Sequence, residues 1–183
     1  FRHITNLEGV LQTAAWTKDR SLPAKAEAAY RRHNEFNRTH YDDESELYFD
    51  KLTGGRNFVM HGVSFCEELK LPVLLSLYTG NRRYLEGAAA GLKAVLRRHE
   101  QLPGLPSSNE YFSGRDPLQG YETCVITDFL WTLGYFLMAT ADAEYADRME
   151  KVAYNALPGA VTGDWMTLQY LSSPNQVIAA PES

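Results

Sequence analysis

Cysteine is scarce in this chain: 183 residues carry two, Cys66 and Cys124. Two thiols do not make the disulfide framework of a small secreted domain. They remain candidates for metal ligation. Long apolar runs are also missing. The longest, residues 129–140, is broken by Thr132 and Gly134 and falls short of the ~20 residues that cross a bilayer, so no membrane partner is expected. Basic excess is absent: 18 Lys and Arg stand against 23 Asp and Glu, a formal net charge of −5. That sign argues against nucleic acid as a partner. The first residue is Phe1, and no charged segment leads into an apolar one, so no signal peptide is visible; an upstream one could have been removed. The compartment therefore stays open. Strand-like alternation is nearly absent.

What is present is core material. Hydrophobic residues make up 44% of the chain and aromatics 12%, too rich for disorder. Helical spacing dominates. Leu7, Val10, Leu11 and Ala14 predict a helix over 6–16. Pro23 opens a second over 24–36. Further helices are predicted at 61–79, 82–99, 121–139 and 142–156. Residues 37–60 read as a long loop with the acidic cluster Asp42, Asp43, Glu44 and Glu46, and a short strand or turn near Tyr48 and Phe49. Asn34 and Asn37 weaken a helix joining His33 to His40. Trp131, Tyr135 and Phe136 read as core, as does Cys66. Arg97, Arg98 and His99 read as a solvated last turn, and Pro158 as a helix terminator. Residues 101–120 form a Gly- and Pro-rich loop, of a length that is usually functional or disordered. Beyond Leu168 no helical period continues, which suggests a piece of a longer protein.

The chain echoes itself. A shift of 61 lays Leu77–Tyr84 over Met138–Tyr145, each a helix end, a short turn with Asn or Asp, and a return helix carrying Tyr. A weaker copy lies at Asp19–Arg32. Repeated antiparallel hairpins predict an all-α toroid or solenoid, because one hairpin cannot bury its apolar face alone. The same shift lays His61 over Glu122. In a ring, both would project at the same mouth.

Glu122-Thr123-Cys124 places a carboxylate and a thiol near a helix start, where both can reach one zinc ion. Equally, Cys124 can be a small buried residue and Glu122 a first-turn carboxylate favoured by the helix dipole. Glu110 lies in the Gly/Pro loop beside Tyr111 and Phe112. It reads as a general acid with a raised pKa or as solvated loop charge. Trp165, Gln169, Tyr170, Asn175 and Gln176 form a polar-aromatic tail that can contact a sugar or pack on a barrel rim.

These segments resemble the catalytic domain of the beta-L-arabinofuranosidase family of glycoside hydrolases. The matching stretches are His61-Gly62-Val63 with Leu71-Pro72 and Tyr78-Thr79-Gly80; Gly120 to Cys124; Tyr145 to Pro158; and Gln169-Tyr170 with Pro174-Asn175-Gln176. The resemblance implies a partial (α/α)6 toroid of antiparallel hairpins with long loops at the active-site mouth, and one partial catalytic domain over 1–183. It implies a carbohydrate substrate, Glu122 and Cys124 as zinc ligands, Glu110 as acid/base, and His61 with Tyr111 at the substrate. It further implies a retaining mechanism whose cysteine nucleophile belongs to an adjacent cysteine pair. The sequence contains no such pair, so the chain alone is expected to be inactive. Exposed barrel faces would favour self-association. Two other readings stay open: a non-catalytic module that binds sugar or protein through its concave face, and a metal-independent α/α-barrel epimerase, lyase or hydrolase.

Overall fold

A computed structural model describes residues 2–40, 47–54 and 57–176. The acidic cluster at 42–46 and the tail from residue 177 lie outside them. A 3-10 turn, Arg2–Asn6, leads into α1 (Leu7–Thr17) and α2 (Leu22–His40). Then come the short α3 (Phe49–Thr53), α4 (Gly62–Thr79), α5 (Arg82–His99), α6 (Thr123–Thr140) and α7 (Ala143–Gly159). These form three antiparallel hairpins, α1–α2, α4–α5 and α6–α7, with α1 and α6 both packed on α4. The result is the expected all-α arc of a toroid. Four two-residue strands, β1 (Ser108–Asn109), β2 (Tyr111–Phe112), β3 (Tyr121–Glu122) and β4 (Leu171–Ser172), join in the order β2-β1-β3-β4.

The predicted turn repeats, and its third copy is as complete as the other two. The residue after α1, α4 and α6 is left-handed: Lys18 at φ 62, Gly80 at φ 75 and Ala141 at φ 55. The threonine before each, Thr17, Thr79 and Thr140, donates its hydroxyl back to the carbonyl four residues earlier. The same hydroxyl accepts the N–H of Asp19, Asn81 or Asp142. Each of those side chains then accepts the N–H two residues on, from Ser21, Arg83 and Glu144. Polar groups at the helix ends are thereby satisfied from within four residues.

The core has two parts. One lies between α4, α6 and the helices behind them, with Phe58, Phe65, Leu69, Phe129 and Phe136 fully buried. The other seats α1 and α2 on α4 through Leu11, Tyr30, Leu71 and Leu75. Cys66 is fully buried, as expected.

Several expectations are corrected. α2 runs on to His40 because its asparagines turn their amides to carbonyls: Asn34 to Tyr30 O and Asn37 to Leu47 O. Residues 49–53 are a helix, not a strand. Leu52 fits against Gly91, where a Cβ would stand 2.4 Å from the leucine methyl. The 101–120 loop carries β1 and β2, and α6 starts at Thr123 because Tyr121 and Glu122 pair with β4. Pro158 is inside α7, in its last turn. His99 is buried, stacked on Phe112 at 5.0 Å, with its Nδ1 accepting the Gly114 N–H. Trp131 is half exposed rather than core. Its ring takes the Lys70 ammonium at 4.0 Å, and Lys70 pairs with Glu8 at 2.8 Å. α6 also proves long and apolar enough by composition to cross a membrane. Its apolar face instead packs between α4 and α7.

Candidate active site

Four distant positions in the chain meet at the N-terminal ends of α4 and α6. His61 is the N-cap of α4 and Glu122 the N-cap of α6, as the internal repeat predicted. His61 Nε2 lies 3.7 Å from Glu122 Oε1. Glu110 and Tyr170 complete the group.

Glu110 is held by its backbone first. It sits between β1 and β2 at φ 71, a conformation that costs a non-glycine residue about 1–2 kcal/mol. Its carbonyl accepts the Gly62 N–H and the Ser108 hydroxyl, both at 2.8 Å. This close approach requires glycine at 62: a Cβ there would stand 2.3 Å from Ser108 Oγ. The anchored carboxylate then accepts His61 Nε2 on Oε2 at 3.0 Å and the Tyr170 hydroxyl on Oε1 at 2.5 Å. The Tyr170 donation, joined by His61, holds the Glu110 pKa below the usual carboxylate value. Of the two readings of Glu110, the raised pKa beside two aromatics is therefore corrected. Tyr111 is more than half exposed, its ring edge-on to His61 at 6.1 Å, and Phe112 is buried on His99.

Glu122 is fully buried, and a carboxylate so placed needs partners. It accepts Cys124 Sγ–H on Oε2 at 2.6 Å and the Tyr170 hydroxyl on Oε1 at 3.3 Å. Burial, then this hydrogen bond to Glu122, pushes the Cys124 thiol up to about 12. Thr123, the middle residue of the motif, has its own task. Its N–H donates to Tyr170 O and its hydroxyl to Gln169 O. Those two bonds bring Tyr170 back to the mouth from the far end of the chain.

The structure thus brings together Glu110, Tyr111, His61, Glu122 and Cys124. Among the described residues, donor atoms of His61, Glu110 and Glu122 lie within 4.8 Å of one another, close enough to hold one cation. Cys124 lies outside that cluster, and its sulfur is hydrogen-bonded to the far Glu122 oxygen. Tyr170 is the residue that the sequence reading placed only in the tail. Its signal was its place in the Gln169-Tyr170 block. Ser64, whose N–H donates to His61 Nδ1 at 3.2 Å, gave no signal beyond lying three residues after a cap.

The sequence model of the GH127 beta-L-arabinofuranosidase catalytic domain matches residues 74–180. The chain belongs to this family. The matched stretch includes Glu110, Glu122, Cys124 and Tyr170, while His61 precedes it. Among solved structures, a GH127 beta-arabinofuranosidase superposes on 92% of this chain with a TM-score of 0.73 at 16% identity. A glycoside hydrolase superposes on 91% with a TM-score of 0.76 at 13% identity. The chain spans 27% and 31% of the lengths of those two. Among curated proteins none matches.

Proposed function

We propose that the chain supplies part of the active site of a retaining glycoside hydrolase acting on beta-L-arabinofuranosides or related plant or glycoprotein sugars. One observation carries this reading. Two carboxylates, Glu110 and Glu122, share the Tyr170 hydroxyl at the mouth of an α/α arc, within the stretch that matches the family.

In this reading residues 1–183 are one part of a single catalytic domain. Glu110 gives a proton to the departing glycosidic oxygen and then takes one from water. Tyr170 can rotate its hydroxyl from donor to acceptor, so Glu110 Oε1 is the oxygen free to take up that proton. Substrate that displaces the Tyr170 hydroxyl would also remove the contact that keeps Glu110 ionised. Tyr111 offers an exposed ring face to the sugar. Glu122 and Cys124 would hold zinc. When bound, zinc keeps cysteine sulfur deprotonated at neutral pH. The chain holds no adjacent cysteine pair, so it is expected to show no turnover alone, and its open faces to favour self-association. A metal-free α/α-barrel enzyme is the second reading, favoured by the hydrogen bonds from Cys124 and Tyr170 that already reach both Glu122 oxygens.

The test is Glu110→Gln in the longer protein. Activity on substrates with poor leaving groups should fall about 10²–10⁴-fold, and less on activated ones. Full activity on poor leaving groups would reject the acid/base role. Metal analysis of the same protein decides the rest: no zinc, with Cys124→Ser fully active, selects the metal-free reading.

A further inference from the structure

We propose that His99, the last residue of α5, is a positioning residue for Glu110: it clamps both ends of the hairpin that carries this carboxylate to the mouth. The hairpin runs from Ser107 through β1, Glu110 and β2 to Gly114. His99 takes one bond from each end. Its carbonyl accepts the Ser107 N–H at 2.7 Å. Its ring Nδ1 accepts the Gly114 N–H at 3.0 Å. The Ser107 hydroxyl then donates across the base to Gly114 O. Between the two ends the imidazole stacks on Phe112, the planes 22° apart, and Phe112 meets Phe65 of α4 edge-on at 5.2 Å.

The base needs such a clamp. The ladder of β1 and β2 consists of Ser108 with Phe112 and Asn109 with Tyr111, and a hairpin that short is marginal by itself. Gly114 lies beyond the ladder, so the His99 nitrogen fixes backbone that the strands do not hold. The tip, with Glu110 at φ 71, is only as fixed as its base.

Burial shows which ring atom matters. His99 is 6% exposed, and its Nε2 is buried without a hydrogen-bond partner among the described residues. A buried polar atom left unpaired destabilises the fold. A phenylalanine would stack on Phe112 without that cost. What it lacks is the acceptor on the other side of the ring. Burial, with Arg98 adding to it, holds the His99 pKa below the ordinary histidine value, so Nδ1 keeps its lone pair for Gly114 at neutral pH.

The value of this clamp to catalysis rests on the proposed acid/base role of Glu110. His99→Phe and His99→Asn are made in the longer protein, and kcat and KM are measured on substrates with poor and with activated leaving groups. Phenylalanine keeps the buried ring and removes the acceptor. Asparagine restores an acceptor oxygen near the place of Nδ1. His99→Phe should lower kcat on poor leaving groups by up to about 10²-fold, with KM little changed and activated substrates nearly untouched. His99→Asn should recover most of the loss. Partial unfolding lowers both substrates alike, so the ratio between them is independent of how much protein folds. An unchanged ratio in His99→Phe, or one in His99→Asn as low as in His99→Phe, would overturn the proposal. In the ¹⁵N-labelled 183-residue chain, a nitrogen–nitrogen coupling across the hydrogen bond from Gly114 to His99 Nδ1 is expected, and its absence would overturn the clamp without any substitution. A leaving-group effect in Glu110→Gln but not in His99→Phe breaks this inference alone. No effect in Glu110→Gln breaks the proposed function, and the coupling still decides the clamp.

Discussion

At the turn ends of the hairpins, α1, α4 and α6 close with the same three-residue device: Thr17-Lys18-Asp19, Thr79-Gly80-Asn81 and Thr140-Ala141-Asp142. At their other ends, α4 opens on an imidazole and α6 on a buried carboxylate. Both ends face the same problem of helix-terminal N–H and C=O groups. The turn ends solve it from local sequence, with identical bonds. At the mouth the His61 side chain caps α4, while Glu122 makes no cap bond and the Thr123 N–H of α6 goes to the Tyr170 carbonyl; the two side chains face each other across the gap, so its groups cannot be interchanged. Repetition marks the part of the molecule that holds it together, and departure from repetition marks the part that does chemistry.

The comparison can be broken at its hardest point first. Gly62→Ala places a methyl on Ser108 and within 3.2 Å of a Val125 methyl. Overpacking of this kind costs about 1–3 kcal/mol, and the upper end is expected here because Glu110 must lift off Gly62. Urea denaturation checks the value. Next come the turns. Asn81→Ala and Asp142→Ala should each cost about 1 kcal/mol in the same assay, while Asn81→Asp should be near neutral. Unequal losses at the two turns would deny their equivalence.

Tyr170→Phe keeps the half-exposed ring but removes a hydrogen bond to the buried Glu122 carboxylate, so it should cost no more than about 1 kcal/mol. It should raise the pKa of Glu110 toward the ordinary value, since Tyr170 is the main group holding it down. Carboxyl ¹³C shifts across a pH titration report it. The sign follows from linkage. A lowered folded pKa gives stability that is present above the unfolded pKa and fades as pH falls through the folded one. The variant should narrow that acid window. The smallest effect is chemical: Cys124, with its thiol pushed up to about 12, should alkylate slowly at neutral pH. Cys66, fully buried, should react only on unfolding. Rapid labelling of Cys124 would mean that Glu122 does not hold its proton.

The helices were legible because their apolar residues repeat at 3.6 spacing. The meeting of His61 and Glu122 was legible because the chain repeats with a period of 61. Residues governed by tertiary partners were not. Asn34 and Asn37 look like helix breakers until Tyr30 and Leu47 offer them carbonyls. His99 looks like a last-turn cation until Phe112 covers it and burial lowers its pKa. Glu110 looks like an acid warmed by aromatics, but its pKa is set by Tyr170, sixty residues away. No local pattern encodes that pairing. It depends on Thr123 catching the backbone at 169 and 170.

The Thr123 clasp has a consequence for the order of events in folding. The three turns need only neighbours in sequence and can form on the timescale of a helix pair. The mouth joins positions 61, 110, 122 and 170, and loop-closure entropy delays such contacts until the hairpins have docked. Until then Cys124 stands in water as an ordinary, alkylatable thiol. The last long-range contacts close the mouth and hold its proton against Glu122, so folding itself withdraws the reactive sulfur.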